Sequence, residues 1–536
     1  MTMWLRIPWK VMSKTKKLAV STLLSFALAW FATSLYGQNG IKIKRVLVIS
    51  FDGMHSIDFG LWIKNNPGSN IAQLASQGTN FTNASSTKPS DSIPSTVGAF
   101  TGASAALGGM YYDDAYNRAW FPPSDLTCAS PAGTPIDLKQ GIDFDGNALD
   151  AGGGINPANL PRQFVNGVCT PVFPHNMMRV NTVFEVVKAH GGNRTAYSEK
   201  RPSYDFLNGP SGTGVDDLYT PEINFNNTLA DLSKTEAFDE LRVQSVLNEI
   251  DGRSHDGTTS PGVPTLFGMN FQSINAAKKD SIGSGYDASL TVTLGTPNAA
   301  LINALQYVDG AIGRMVAELN KQGLASSTAI ILYAKHGEAP LDPTHRIIDI
   351  NSAIQSALTA GLTSPLVAGI PASKVAKITE KTAALIWLKD QSLTQAAADI
   401  LSAPVNEAKL NISYLLYGET LKLLFPDPLV DPAPPDLIVV PNPGTNFEPT
   451  LITTLPAVQA EHGGFNEFEV HVPLLVMGTG VPAGKVKAAV TTTQIAPTIL
   501  ALLGMSPGLL QAVQQEGVAV LPGIPFSGNA GGNSGH

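Results

Sequence analysis

The alternation of apolar and polar stretches along the chain follows the rhythm of an α/β protein. Residues 43 to 51, IKRVLVISF, form a short aliphatic run that ends at Asp52-Gly53. A continuous apolar run of that length predicts a strand buried on both faces, with a carboxylate at its C-terminal tip. Four further segments repeat the arrangement: TLFGMNFQ (265 to 272), STAIILYAKHG (327 to 337), PDLIVVPN (435 to 442) and VHVPLLVMG (470 to 478). Between them, NTVFEVVKAHG (181 to 191) and NALQYVDGAIGRMVAELNKQG (303 to 323) carry apolar residues three and four apart and stop at Gly191 and Gly323, where a left-handed helix cap is expected. The C-terminal TTTQIAPTILALLG and the shorter TQAAADILSA also read as helices. The chain reads as α/β, with strands of the kind buried in parallel sheets. In such sheets ligands gather beyond the carboxyl ends of the strands, so polar residues there are site candidates.

Two regions break the alternation. Residues 113 to 175, rich in Gly, Pro, Asp and Asn, read as an insertion over the site, and residues 366 to 430 as a second excursion within one domain running from 38 to 525. The final SGNAGGNSGH, in a tail from 526 to 536, has the composition of a disordered segment. At the other end Lys14, Lys16 and Lys17 precede the apolar run LAVSTLLSFALAWFATSLYG, the pattern of a cleaved signal peptide over residues 1 to 37, with an uncleaved anchor as the alternative for a run close to a membrane span in length. That implies a secreted or periplasmic body with no stable membrane span after cleavage. The two cysteines, Cys128 and Cys169, then read as one disulfide pinning the first insertion. A formal charge of −8, with no Lys/Arg block outside the N-terminus, argues against a nucleic-acid surface.

Candidate chemistry begins at TKPSDSIPSTVGAFTGASAALGG, residues 87 to 109. Ser92, followed by Pro94 and a small and apolar run, describes a loop entering a helix N-terminus, where free N–H groups favour an alkoxide and the phosphoryl oxygens it attacks. Taken alone, Ser92 or Ser95 reads as a helix cap. The ordered series VLVISFDGM, KPSDSIPSTVGAFTG, AIILYAKHG, AEHGGFNEFEVHVPLLV and TTTQIAPTILALLG resembles the alkaline phosphatase superfamily, in its type I phosphodiesterase/nucleotide pyrophosphatase branch. The resemblance implies an α/β fold built as a three-layer αβα sandwich with a mostly parallel central sheet, and a hydrolase of phosphate esters, a phosphodiesterase acting on a small-molecule ester through a phospho-seryl intermediate. It makes Asp52, Ser92, His336 and His462 metal ligands, with Ser92 also the nucleophile. It implies divalent metal, zinc by family habit, in two sites. Ser95 falls where nucleotide-hydrolysing relatives place a phosphate-contacting Asn, and Asn270 is the second expected substrate contact.

The chain departs from the family pattern at three ligand positions. Lys335 stands where the family has Asp, and the strand expected to supply Asp-x-x-x-His offers Gln272 and Ala276, of which Ala276 cannot ligate. Three outcomes follow. Lys335 replaces a cation; or one metal remains, completed by Glu338, Asp342 or water; or the fold is kept for binding alone. A unit charge within about 4 Å contributes on the order of 4 kcal/mol at an effective dielectric of about 20, so an ammonium at Lys335 can assume part of a metal's role. Ser92-Ile93-Pro94-Ser95-Thr96 also approaches the sulfatase motif, with Thr96 in place of its Arg, so sulfate ester hydrolysis stays an alternative. His471 is expected to be structural, and His175, His190 and His345 to lie on loops or the surface. Tyr111, Tyr112, Asp113 and Asp114 read equally as pocket lining and as loop packing.

Overall fold

The strand at residues 45 to 52 sits near the middle of an eight-stranded sheet, where its aliphatic side chains are covered on both faces. In the computed structural model, residues 42–279, 285–287, 296–341, 347–348, 352–448 and 460–525 are described, and those from Ile43 onward belong to one compact unit. The signal segment, the 526–536 tail, Asp342 and His345 lie outside the described residues.

The strands of the large sheet are β1 (Arg45–Asp52), β2 (Thr79–Phe81), β3 (Thr195–Ser198), β4 (Asp217–Tyr219), β5 (Leu266–Phe271), β6 (Thr328–His336), β7 (Leu474–Met477) and β8 (Gly484–Val486). Their spatial order is β8-β2-β7-β6-β1-β5-β3-β4. Only β7 runs against its neighbours, so the sheet is mostly parallel as expected. The 470 to 478 segment thus supplies an antiparallel strand. A larger correction concerns residues 435 to 442: Leu437–Pro441 belongs to a separate, antiparallel four-stranded sheet with Val375–Glu380, Ala384–Leu388 and Ile412–Tyr417. An aliphatic run covered on both faces looks the same whichever sheet it joins, so periodicity alone does not distinguish the two.

Side chains of β1 alternate between two cores. Val46 and Val48 pack with Ile93, Val97 and Phe100 of helix α1 (Ser92–Thr101) and with Ile495 and Ile499 of a helix at Ile495–Leu502. Leu47, Ile49 and Phe51 face Val243 and Val246 of helix α2 (Leu232–Ile250) and Val308 and Ile312 of helix α4 (Ala299–Lys321). Helix α3 (Ser273–Lys279) follows β5 directly. This is the three-layer sandwich, and the two-residue period puts Asp52 on the same side as Val46 and Val48, toward the start of α1. The helix at Val183–Ala189 begins with a capping box formed by Thr182 and Glu185, and Gly323 adopts φ 69° just beyond α4, as its position predicted. Within the first insertion, two hairpins, Asp114–Asn117 with Thr134–Asp137 and Arg162–Val165 with Val168–Pro171, are joined by the expected Cys128–Cys169 disulfide. No helix among the described residues is long and apolar enough to cross a membrane.

Beneath that insertion Asp143 and Glu222 face each other, both buried. Glu222 Oε1 accepts from Gln140 Nε2 and from the Asn224 N–H, each at 2.9 Å. Both Asp143 oxygens and Glu222 Oε2 have no hydrogen-bond partner among the described residues. Burial, reinforced by the neighbouring Glu222, lifts Asp143 from 3.8 to about 8. Because the folded value lies above the unfolded one, the stability this acid contributes is complete below about pH 4 and is lost as pH rises through 8. Asp143→Asn should therefore reduce the fall in Tm between pH 6 and pH 9 relative to wild type. Parallel Tm profiles for the two proteins would contradict the assignment.

Candidate active site

Four adjacent strands, β6, β1, β5 and β3, end at one place and deliver the charges of the site. Asp52, fully buried, closes β1. At this point the pairing of β1 with β6 slips by one residue: Phe51 lies opposite Ala334, but Asp52 lies opposite His336. The extra residue is Lys335. A bulge re-aims side chains that would otherwise alternate, which is how one strand presents both Lys335 and His336 to the site. Gly53 follows at φ 79°. A Cβ there would come within 2.9 Å of both the Asn275 backbone and Glu338, so only glycine lets α3 and the turn after β6 close over Asp52.

Asp52 is held by cations on both oxygens. Lys335 Nζ lies 2.8 Å from Oδ1 and Lys200 Nζ 2.6 Å from Oδ2, while Gln272 Nε2 donates to Oδ2 at 2.6 Å. Burial opposes the charge on Asp52, but Lys200, Lys335 and His336 outweigh it and hold the carboxyl well below its usual range. Lys335 has a second counter-ion in the fully buried Glu199, at 2.9 Å, donates to Tyr204 Oη at 3.2 Å, and sits 4.9 Å from the centre of the Tyr204 ring. Lys200 is lowered to about 8, by burial first and by the charge of Lys335, against the pull of Asp52.

Ser92 is the first residue of α1, and the cap is its neighbour Asp91, whose side chain accepts from the Ile93 N–H at 3.2 Å. The hydroxyl is thereby free for the site. It lies 3.0 Å from His336 Nε2 and accepts from Lys200 Nζ at 3.1 Å. His336 Nδ1 is 2.9 Å from the Gly337 carbonyl, so Nδ1–H donates there and the Nε2 lone pair faces Ser92. Burial, with Lys200 adding repulsion, lowers His336 to about 3 against the attraction of Asp52, which keeps the ring neutral. His462 stacks on His336 with ring centres 3.6 Å apart, and its Nδ1 lies 2.7 Å from Glu338 Oε1.

Ser92, Lys200, Arg201, Tyr204, Gln272, Asn275, Ala276, Lys279, Lys381, His462 and Asp113 are among the lining of a cavity of about 280 Å³. Of the residues the sequence singled out, Ser92, Gln272 and His462 line it, while Asp52, Lys335 and His336 lie behind them, His336 on Ser92 and Lys335 on Asp52. Ser95 and Asn270 do not line the cavity: Ser95 Oγ bonds Thr87 Oγ1 at 2.9 Å inside α1's packing, and Asn270 accepts from Ser50 Oγ at 2.8 Å within the sheet. Asp113 reaches the cavity, whereas Tyr112 donates to the Gly463 carbonyl at 3.1 Å and Tyr111 packs against Phe425. Glu199 and Lys200 were missed. Their signal was present in YSEKR, a strand tip followed by charge, but the four-residue strand Thr195–Ser198 is too short and polar to register as one.

A serine hydroxyl at a helix N-terminus, between a neutral imidazole and an ammonium at the tips of a mostly parallel sheet, stands on an alkaline phosphatase-like fold. The chain belongs to the type I phosphodiesterase/nucleotide pyrophosphatase family, whose model matches residues 46–465. Its fold is similar to murine ectonucleotide pyrophosphatase/phosphodiesterase 5, at TM-score 0.55 and 14% identity over 86% of this chain and 96% of that one. An inactive form of the murine protein in complex with AMP gives TM-score 0.53 at 15% identity over 87% and 96%. A variant of the alkaline phosphatase PafA gives 0.54 at 12% identity over 87% and 96%. No curated protein matches the chain in sequence.

The residues do not fit two metal ions. Ala276 offers no donor, Gln272 turns an N–H toward Asp52, and both Asp52 oxygens face ammonium groups. They do fit one. Donor atoms of His336, Glu338 and His462 lie within 4.8 Å of one another, and Glu338 Oε2 is buried with no hydrogen-bond partner among the described residues. Two imidazoles and a carboxylate suit a divalent ion of the zinc type.

Removing Lys335 leaves Asp52 with one counter-ion and Glu199 without its ammonium, in a site closed to water. Lys335→Met should lower stability to urea by about 3–5 kcal/mol. Adding Glu199→Gln should recover a substantial part. A Lys335→Met protein as stable as wild type would show that these charges are not coupled.

Proposed function

We propose that the protein is an exported phosphodiesterase in which Ser92 attacks the phosphorus of a small-molecule phosphate ester. The observation that carries this reading is the Ser92 hydroxyl itself, 3.0 Å from His336 Nε2 and 3.1 Å from Lys200 Nζ at the mouth of a cationic cavity.

The Ser92 proton leaves toward the His336 lone pair as the Oγ–P bond forms and the P–O bond to the leaving alcohol breaks. Lys200, already on Oγ, offsets negative charge on the attacking oxygen and the adjoining non-bridging oxygens. The departing alkoxide takes its proton from water or a cavity ammonium. Water then splits the phospho-seryl ester, releasing the phosphate product and restoring Ser92. Lys279 and Lys381, anchored by Glu461 at 2.6 Å and Asp91 at 3.4 Å, line the cavity with Arg201 and favour an anionic substrate. His336, Glu338 and His462 would hold a divalent ion as an alternative to the base role of His336, and that ion would then supply positive charge beside Ser92. The disulfide supports an oxidising, extracytoplasmic compartment.

Turnover of bis(p-nitrophenyl) phosphate by wild type and its loss in Ser92→Ala, by about a thousandfold or more, is the expected result, with a phosphorylated peptide containing Ser92 trapped at low pH. Preference for p-nitrophenyl sulfate would favour the sulfatase alternative. Equal inertness of both proteins, with each of zinc, magnesium and manganese supplied, would leave only a binding role.

A further inference from the structure

We propose that the ammonium groups of Lys335 and Lys200 are the permanent cations at Asp52, so that this half of the site binds no metal and the chain takes at most one divalent ion, on His336, Glu338 and His462. The inference goes beyond the hydrolase reading and stands on geometry that turnover does not enter.

Three observations converge on it. Each Asp52 oxygen already has its own cation, at 2.8 Å and 2.6 Å, and a metal bound at about 2 Å from either oxygen would sit against an ammonium. Lys335 is also anchored, since Glu199 and Tyr204 hold its far side in a fully buried pocket. A chain that had merely lost a ligand would have no use for a second buried carboxylate there. Finally, the charges close among themselves: Asp52 and Glu199 balance Lys335 and Lys200, and a divalent ion added to this buried set would be uncompensated. The cluster at Glu338 differs in kind. Its nearest ammonium, Lys279, is 3.9 Å from Glu338 and bound more closely to Glu461 at 2.6 Å, whereas ammonium groups lie 2.8 Å and 2.6 Å from the two oxygens of Asp52.

The test is metal stoichiometry of the full chain, stripped with chelator, dialysed against zinc chloride and analysed by mass spectrometry of the digested protein. Wild type is expected to hold no more than one zinc, and Glu338→Ala/His462→Ala to hold none. Adding Lys335→Asp to that double variant should create a site and raise zinc by about one equivalent. Should that variant not fold, Glu199→Gln added to it removes the neighbouring charge and the same gain is expected. Two zinc ions in wild type, an ion surviving in Glu338→Ala/His462→Ala, or no gain in the folded Lys335→Asp variant would each overturn the proposal. An inert protein with this metal content would refute the hydrolase reading and leave the inference intact.

Discussion

A carboxylate with no access to water, clamped between two lysine ammonium groups, organises this molecule. Asp52 is fully buried, and an ionised carboxylate removed from water costs several kcal/mol unless compensated. Compensation comes from outside its own strand: Lys335 from β6, Lys200 from the loop after β3, and the Gln272 amide from the end of β5. These strands are neighbours in the sheet. The charges can meet only if the register of all four is correct, so the interaction that makes the site also specifies the sheet. It fixes the position of Ser92 too, because the ammonium that neutralises Asp52 is the one that touches the Ser92 oxygen.

The bulge in β6 extends the same logic. In a regular strand Lys335 and His336 would point to opposite faces, one toward each hydrophobic core. With two residues of β6 set against Asp52 alone, Lys335 turns to Asp52 and Glu199 while His336 turns to Ser92. Electrostatic balance and the orientation of His336 thus depend on a single local irregularity, held from beyond by the Gly337 N–H donating to the Glu469 carbonyl at 2.7 Å.

Much of this was legible in the sequence, and the reasons differ by residue. Asp52 and His336 could be placed because each ends a long aliphatic run, and strand tips in α/β sheets point to the site. Ser92 was legible as a helix entry, although the cap proved to be Asp91. The ordered motifs supplied the link to His462, more than a hundred residues beyond His336 and Glu338, which no periodicity gives. Glu199 and Lys200 lay beyond reach because their strand has only four residues, too few for a pattern. Ser95 stands three residues after Ser92 and Asn270 two before Gln272, yet their side chains bond Thr87 and Ser50 away from the cavity, because sequence proximity does not fix which way a side chain faces. The 435 to 442 run joined a different sheet because burial on both faces does not identify the partner strand.

His336 links the two halves of the site and serves them in turn. A neutral imidazole has one N–H and one lone pair. As the hydrogen bonds stand, Nδ1–H is spent on the Gly337 carbonyl and the lone pair on Ser92. Nδ1 is the nitrogen 3.9 Å from Glu338, so ligation of an ion beside Glu338 takes the Nδ1 lone pair and moves the proton to Nε2. The ring would then donate to Ser92 instead of accepting from it. Either His336 is the proton acceptor for Ser92, with Lys200 and Lys335 the cations, or it is a metal ligand and Ser92 must lose its proton elsewhere. The two arrangements exclude each other at one ring. The hydrogen bonds of the ring, Nδ1–H to the Gly337 carbonyl and the Nε2 lone pair toward Ser92, are those of the first.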